Sequence, residues 1–219
     1  MENRKEYDMA KKEFITWLKL HYRERAKRSL KAKVLVQLGY LRRLAATLKI
    51  KSVGDHIENF LYDSDGKILL GTIHRSISNY LVDRFNGTAV LIDGTKSVKE
   101  RQMAEERFQT QAATRIMVGQ IKAAGVGLNL TAAHTVGMVE LPWKPADCEQ
   151  FEDRAYARLN DLHGADVYYY VAENSIEQHM CNIIQTKQKV CDRVIDGEVM
   201  DDGIAIFDQL MEMMLDEEK

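Results

Sequence analysis

The chain has 219 residues, 45% of them hydrophobic, and only two prolines, Pro142 and Pro145; that is enough apolar material to bury a substantial core, which excludes a disordered or low-complexity polypeptide. Its three cysteines, Cys148, Cys181 and Cys191, stand far apart without a Cys-x-x-Cys pair, so neither a disulfide framework nor a zinc site is indicated and a reducing compartment is implied. A formal net charge of -2 conceals sorted charge: residues 1–51 carry fifteen Lys and Arg against five Asp and Glu, and the remainder sums to -12.

The N-terminus is charged, and no apolar run approaches the roughly 20 residues needed to cross a bilayer. A soluble intracellular protein without a membrane partner is expected, nuclear if eukaryotic and cytoplasmic if prokaryotic or viral. Tyr7, Ala10, Phe14, Trp17 and His21 recur at steps of three and four, as do Val34, Leu38, Leu41, Ala45 and Leu48, which marks two amphipathic helices. Their opposite faces hold Lys11, Lys12, Arg23, Arg25, Lys27, Arg28, Arg42 and Arg43, a distribution that suits a polyanion and equally a solvated helix face. Residues 1–66 are expected as a helical segment packed on a lobe that occupies 67–195.

From residue 67 the period changes. Short β-rich runs at Lys67 to Ile73, Thr88 to Asp93, Arg115 to Ile121, Thr135 to Leu141 and Val167 to Ala172 alternate with helical stretches at Ser76 to Phe85, Ser97 to Phe108, Asp147 to Arg158 and Ser175 to Val194. The βαβ rhythm predicts an α/β fold, a mostly parallel sheet flanked by helices with its functional loops at the carboxyl ends of the strands. Residues 196–219 hold nine Asp and Glu against one Lys, with Ile204, Phe207, Leu210, Met211 and Met214 at helical spacing. An acidic C-terminal helix is expected there, docked on this lobe or on a partner.

Two clusters carry chemistry. After the strand ending at Ile121, Gly125 and Gly127 within Ala124-Gly125-Val126-Gly127-Leu128-Asn129-Leu130-Thr131 let the main chain turn sharply and approach a phosphate oxygen. The same pattern also marks an ordinary tight turn. Further on, Gln150, Arg154 and Arg158 fall four apart, on one face of the expected helix. Two guanidiniums on one face can hold the spreading negative charge of a phosphoryl group in transfer; two surface arginines bridging to Glu152 or Asp153 would have the same spacing.

The order of the motifs decides between these readings. Lys67 to Ile73, Asp93-Gly94-Thr95 with Arg101, Gly125 to Leu130, Trp143-Lys144-Pro145 and Gln150 to Arg158 follow one another as do the motifs of the second RecA-like lobe of superfamily-two helicases. The run resembles the SWI/SNF-type DNA-dependent ATPases, and the wording around Leu91-Ile92-Asp93-Gly94 and Glu149 to Arg154 looks closest to the annealing-helicase branch. Four positions depart from that pattern: Lys144 stands for the family's Asn, Phe151 for its Ala, and Asn160-Asp161 for its Gly-Gln.

The resemblance implies a RecA-like, P-loop-NTPase-type sheet and a division of labour. Arg154 and Arg158 would contact the γ-phosphate side of ATP bound on lobe one, with Gln150 coupling nucleotide to lobe closure. Gly125, Gly127 and Asn129 would link the nucleotide face to DNA, while Arg75, Gly94, Thr95, Lys96 and Arg101 would contact the DNA backbone without reading sequence. No Gly-x-x-x-x-Gly-Lys-Ser/Thr and no Asp-Glu-x-His-type magnesium motif occurs, and Gly66-Lys67 runs straight into a strand. ATP and Mg²⁺ are therefore expected on an absent first lobe, with the chain an expression fragment or one part of a split motor, inactive alone. A catalytically silent DNA-binding or interaction module and an RNA helicase lobe are the alternatives. His74, the methionines and Tyr168 to Tyr170 are expected to pack rather than to react.

Overall fold

Apolar runs long enough for one strand each build the sheet of the computed structural model, which describes residues 3–21, 28–124, 128, 130–155, 165–191 and 210, with 21, 28–32 and 187–191 by backbone alone. The strands are β1 (Ile68–Thr72), β2 (Ala89–Ile92), β3 (Ile116–Gln120), β4 (Thr135–Met138) and β5 (Asp166–Tyr169). All pair in parallel, in the order β2-β3-β1-β4-β5. Every residue of β1 and β4 is buried, and so are the first four of β3, the near-continuous apolar signature of strands covered on both faces. β5 alternates exposed and half-buried residues, as an edge strand does.

The helices among the described residues are α1 (Arg4–His21), α2 (Arg28–Asp63), α3 (Arg75–Arg84), α4 (Val98–Thr110), α5 (Ile121–Ala124), α6 (Pro145–Glu152) and α7 (Ile176–Cys191). The parallel α/β fold is as the sequence predicts, and strand ends shift by one to three residues. α4 starts on a capping box in which Ser97 and Glu100 satisfy each other's backbone N–H groups. α5 escaped the sequence reading because four residues carry no period. The apolar stripe of α2 continues past Leu48 through Ile50, Val53 and Ile57, all buried, within the helical segment expected to residue 66. No helix among the described residues is long and apolar enough to cross a membrane.

Two compact units emerge, one of residues 1–49 and 171–219, the other Ile50–Tyr170. The expected 1–66 segment is thus divided between them, and α7 groups with the N-terminal helices. In the sheet-bearing unit the turn of α2 at Gly54 lies against Arg84 of α3, whose Nη2 pairs with Asp55 at 2.6 Å and Nε with Glu58 at 3.0 Å. Arg115 donates to the carbonyls of Leu61 and Gly66 at 2.9 and 3.1 Å, closing the connection from α2 into β1.

The other unit is ordered by buried polar groups at the start of α7. Ser175 Oγ accepts the Glu177 N–H at 3.2 Å and donates to the Ala172 carbonyl at 2.6 Å. Tyr7 is fully buried, and its hydroxyl accepts the Ile176 N–H at 2.8 Å; burial pushes the phenol well above its ordinary range. Lys49 Nζ meets Glu177 Oε1 at 2.6 Å with both side chains about 95% buried, at 5% and 4% exposure. Of the acidic C-terminal segment only Leu210 is described, helical and buried; Ile204, Phe207, Met211 and Met214 lie outside the described residues.

A buried pair stripped of one partner leaves an uncompensated charge, which costs about 3–5 kcal/mol, whereas an apolar replacement of both is close to neutral. Lys49→Met is therefore expected to lower the urea midpoint severely, and Lys49→Met with Glu177→Leu to recover most of the loss. Additive losses in that double-mutant cycle would show that the two groups act independently.

Candidate functional site

The polar residues of the sheet-bearing unit gather at the carboxyl ends of the strands, where a chain leaving a covered sheet first meets solvent. Beyond β2, the carboxylate of Asp93 is buried at 2% exposure and its Oδ1 accepts both the Thr95 N–H at 2.9 Å and the Thr95 hydroxyl at 2.7 Å. Its Oδ2 faces Arg75 Nε at 3.8 Å, and Arg75 itself is exposed. Burial pushes the Asp93 carboxyl up, but the Thr95 bonds and the charges of Arg75 and Lys96 outweigh it and hold the group below its ordinary range. Lys96 Nζ lies 3.9 Å from Glu100, and Arg101 Nε donates to the Lys96 carbonyl at 3.1 Å. Arg75, Gly94, Thr95, Lys96 and Arg101 thus come together around one turn, with Arg101 bracing the turn from α4.

Beyond β4 stands a residue the sequence reading missed. Glu140 is 3% exposed; its Oε2 accepts the N–H groups of Ile73 and His74 at 2.7 and 2.8 Å, and its Oε1 bonds His74 Nδ1. Burial raises the carboxyl, and the His74 hydrogen bonds and charge, with the Ile73 N–H, overcome that and leave it below its ordinary value of 4.5. The signal was present: a lone carboxylate in the apolar run Val139-Glu140-Leu141 must find donors. His74, expected to be a packing residue, is one of them. Between these loops, Gln120 at the end of β3 accepts the Gly94 N–H and donates to the Ile73 carbonyl, both at 3.4 Å.

The helix expected to carry the arginines is shorter than its spacing suggests. The expected helix from Asp147 to Arg158 starts two residues earlier, at Pro145, and ends at Glu152; Arg154 lies in the turn that follows. The last N–H groups tighten to three-residue spacing, Arg154 to the Phe151 carbonyl at 3.2 Å and Ala155 to that of Glu152 at 3.0 Å, which unwinds the α-helix. Gln150 is exposed on α6, and Arg154 Nε donates back to its carbonyl at 3.1 Å while Nη1 reaches the Leu128 carbonyl at 3.4 Å. The Arg154 carbonyl in turn accepts the Leu130 N–H at 3.0 Å, so Arg154 clasps the segment that follows the glycine loop. Arg158, Gly125, Gly127 and Asn129 lie outside the described residues, as does Asp161.

What positions α6 is a ring on two glycines. Gly71 and Gly119 are register partners on β1 and β3, and a Cβ on either would stand 2.9 or 3.1 Å from the Phe151 ring. Phe151 is fully buried there. The departure from the family's Ala is thus a packed contact of α6 with the sheet. Lys144 occupies the N-cap of α6 and makes no side-chain cap bond, whereas an Asn in that place is among the best caps. Among the described residues no group of three His, Cys, Asp or Glu could hold a metal ion.

A match to the helicase conserved C-terminal domain family extends over residues 49–158, half of the chain. The chain belongs to that family. The DNA annealing helicase and endonuclease ZRANB3 of Homo sapiens is 31% identical over 155 residues, covering 69% of this chain and 14% of that protein. The SWI/SNF-related matrix-associated actin-dependent regulator of chromatin subfamily A-like protein 1 of Xenopus tropicalis is 30% identical over 148 residues, covering 66% and 16%. The chain therefore spans only a small part of the length of these relatives. The solved SWI2/SNF2 ATPase core of Sulfolobus solfataricus in complex with dsDNA shares the fold, with a TM-score of 0.68 at 19% identity over 89% of this chain and 44% of that one. The RecA-like second lobe of the SWI/SNF type, read from motif order, is confirmed at the level of family and fold.

Two outcomes follow for the site's scaffold. Gly71→Ala overpacks the Phe151 ring, a loss of about 1–3 kcal/mol, and Phe151→Ala opens a cavity, a loss of about 3–5 kcal/mol; thermal melts of the double variant should show less than the sum, and strict additivity would sink the contact as described. Glu140→Gln should cost about 2 kcal/mol at neutral pH. Because the folded carboxyl titrates below 4.5, its contribution is complete above that value and fades as pH falls through the lower folded value. The gap between wild-type and Glu140→Gln urea midpoints should therefore close in acid; a constant gap would contradict the depressed carboxyl.

Proposed function

We propose that this chain is the second motor lobe of an ATP-dependent DNA translocase, gripping the DNA backbone with one edge and completing an ATP site on lobe one with another. The observation that carries the reading is the turn at Asp93, which brings Arg75, Thr95 and Lys96 together on the carboxyl edge of β1 and β2. The two cations Arg75 and Lys96, set beside a turn that Asp93 and Thr95 hold formed, make a surface matched to phosphate oxygens, blind to base identity. The duplex bound by the Sulfolobus core supports DNA as the polyanion.

Arg154 fits an anion. Its two backbone bonds fix the plane of the guanidinium, and a five-donor fork keeps further N–H groups beyond those two for phosphate oxygens. Bound mainly to lobe one, ATP with Mg²⁺ supplies the phosphoryl group that is transferred to water. The residues of this chain hold negative charge at that face, Arg154 with Arg158 as arginine fingers and Gln150 as the link to lobe closure, while Gly125, Gly127 and Asn129 connect the nucleotide face to the DNA grip. Closing and opening of the lobes would then alternate two grips along a strand.

The purified chain should show no magnesium-dependent ATPase activity alone. Mixed with a matching lobe-one polypeptide it should show ATPase activity stimulated by duplex or forked DNA and not by RNA. Arg154→Ala should lower kcat on the order of a thousandfold, with Arg154→Lys failing to restore it because a lysine cannot reproduce the planar fork. RNA stimulation, or silence of the wild-type mixture, would reject the motor reading.

A further inference from the structure

The proposed DNA grip is divided between loops that do not follow neighbouring strands. Arg75 follows β1, Gly94 to Lys96 follow β2, and β3 lies between those strands in the sheet. Two side chains close the gaps in spatial order. Gln120, at the end of β3, bridges the Gly94 N–H and the Ile73 carbonyl. Glu140, beyond β4 on the far side of β1, takes the N–H groups of Ile73 and His74 and the His74 ring, all immediately before Arg75.

Glu140 cannot follow a moving loop. Its own N–H and that of Val139 both donate to the Gly71 carbonyl, at 3.2 and 2.9 Å, so its main chain is pinned to β1 as well. Drawing Ile73 and His74 away would strip a buried carboxylate of its donors. The same carboxylate stands just ahead of Trp143-Lys144-Pro145 and the start of α6, so the loop that leads to Gln150 and Arg154 begins on the residue that fixes the position of Arg75.

We infer that Glu140 and Gln120 are positioning residues that lace the four strand ends together, so that Arg75 and the Gly94–Lys96 turn meet DNA phosphates as one preformed edge rather than as independent loops. The inference rests on the DNA-facing reading above. Preformed donors bind without the cost of ordering them, which predicts that losing the lace weakens binding through Arg75 itself.

The test is fluorescence anisotropy of the full chain with a labelled random-sequence duplex across a salt titration, at temperatures where each variant is folded by circular dichroism. Arg75→Ala should weaken binding about threefold to tenfold and lower the salt slope by about one. Glu140→Gln should reproduce both changes and add little to Arg75→Ala, and Gln120→Ala should behave likewise against Lys96→Ala. Full affinity in Glu140→Gln, or losses that simply multiply in the double variants, would overturn the positioning role while leaving the DNA face intact. Wild-type binding by Arg75→Ala would overturn both. Should Glu140→Gln not fold, the Gln120→Ala and Lys96→Ala pair decides alone, since truncating a half-buried neutral side chain leaves no stranded charge.

Discussion

A sheet covered on both faces has nowhere inside it to put a polar side chain unpaired, and that constraint arranges everything of interest in this lobe. Thr72, the last residue of β1, is fully buried and spends its hydroxyl on Ser78 at 2.7 Å and on the Gly119 carbonyl at 3.2 Å. At the strand ends or just past them the chain can reach the donors and acceptors of the loops, and there Asp93, Gln120 and Glu140 find their partners. The polar edge is thus a consequence of a dry sheet that ends abruptly, and the bonds of Gln120 and Glu140 cross from one strand end to the next.

The contact of Phe151 with Gly71 and Gly119 applies the same logic to an apolar group. Removing two side chains from neighbouring strands opens a flat slot, and an aromatic ring is the side chain that fills a flat slot with the most contact. α6 is therefore seated through its last turn. Its N-cap is a lysine without a cap bond where a short polar side chain would satisfy a backbone N–H, and beyond Glu152 the chain relaxes to three-residue spacing. Arg154 takes its place at this relaxed end by bonding carbonyls on two segments.

The sheet was legible because strands buried on both faces write themselves as unbroken apolar runs, and the motif order gave the lobe's identity. The helix through Arg154 was misjudged because a spacing of four is helical only if the backbone continues, and nothing in Gln150 to Arg158 announces that the carbonyl of Gln150 will be taken by a guanidinium. α5 was missed because it is too short to show a period, whereas α2 lies within the helical segment expected over residues 1–66. Glu140 was overlooked because it matches no motif, although its charge inside Val139-Glu140-Leu141 was the plainest violation of the apolar pattern in the chain. A buried charge is more informative than an exposed one, since it cannot persist without donors.

Arg75 and Asp93 together explain how a cation can be held ready without being spent. The two groups are 3.8 Å apart, with the arginine side chain 63% exposed and the carboxylate 3% exposed. Water screens that pair, so its strength is small. Asp93 does not depend on it, because Thr95 supplies two hydrogen bonds to the same carboxylate. A phosphate arriving at Arg75 can therefore take the guanidinium without stranding a buried charge, and the Thr95 turn stays formed while it does so. An arginine paired with a carboxylate that had no other donor would resist that exchange. The one here is oriented by its neighbour and still available.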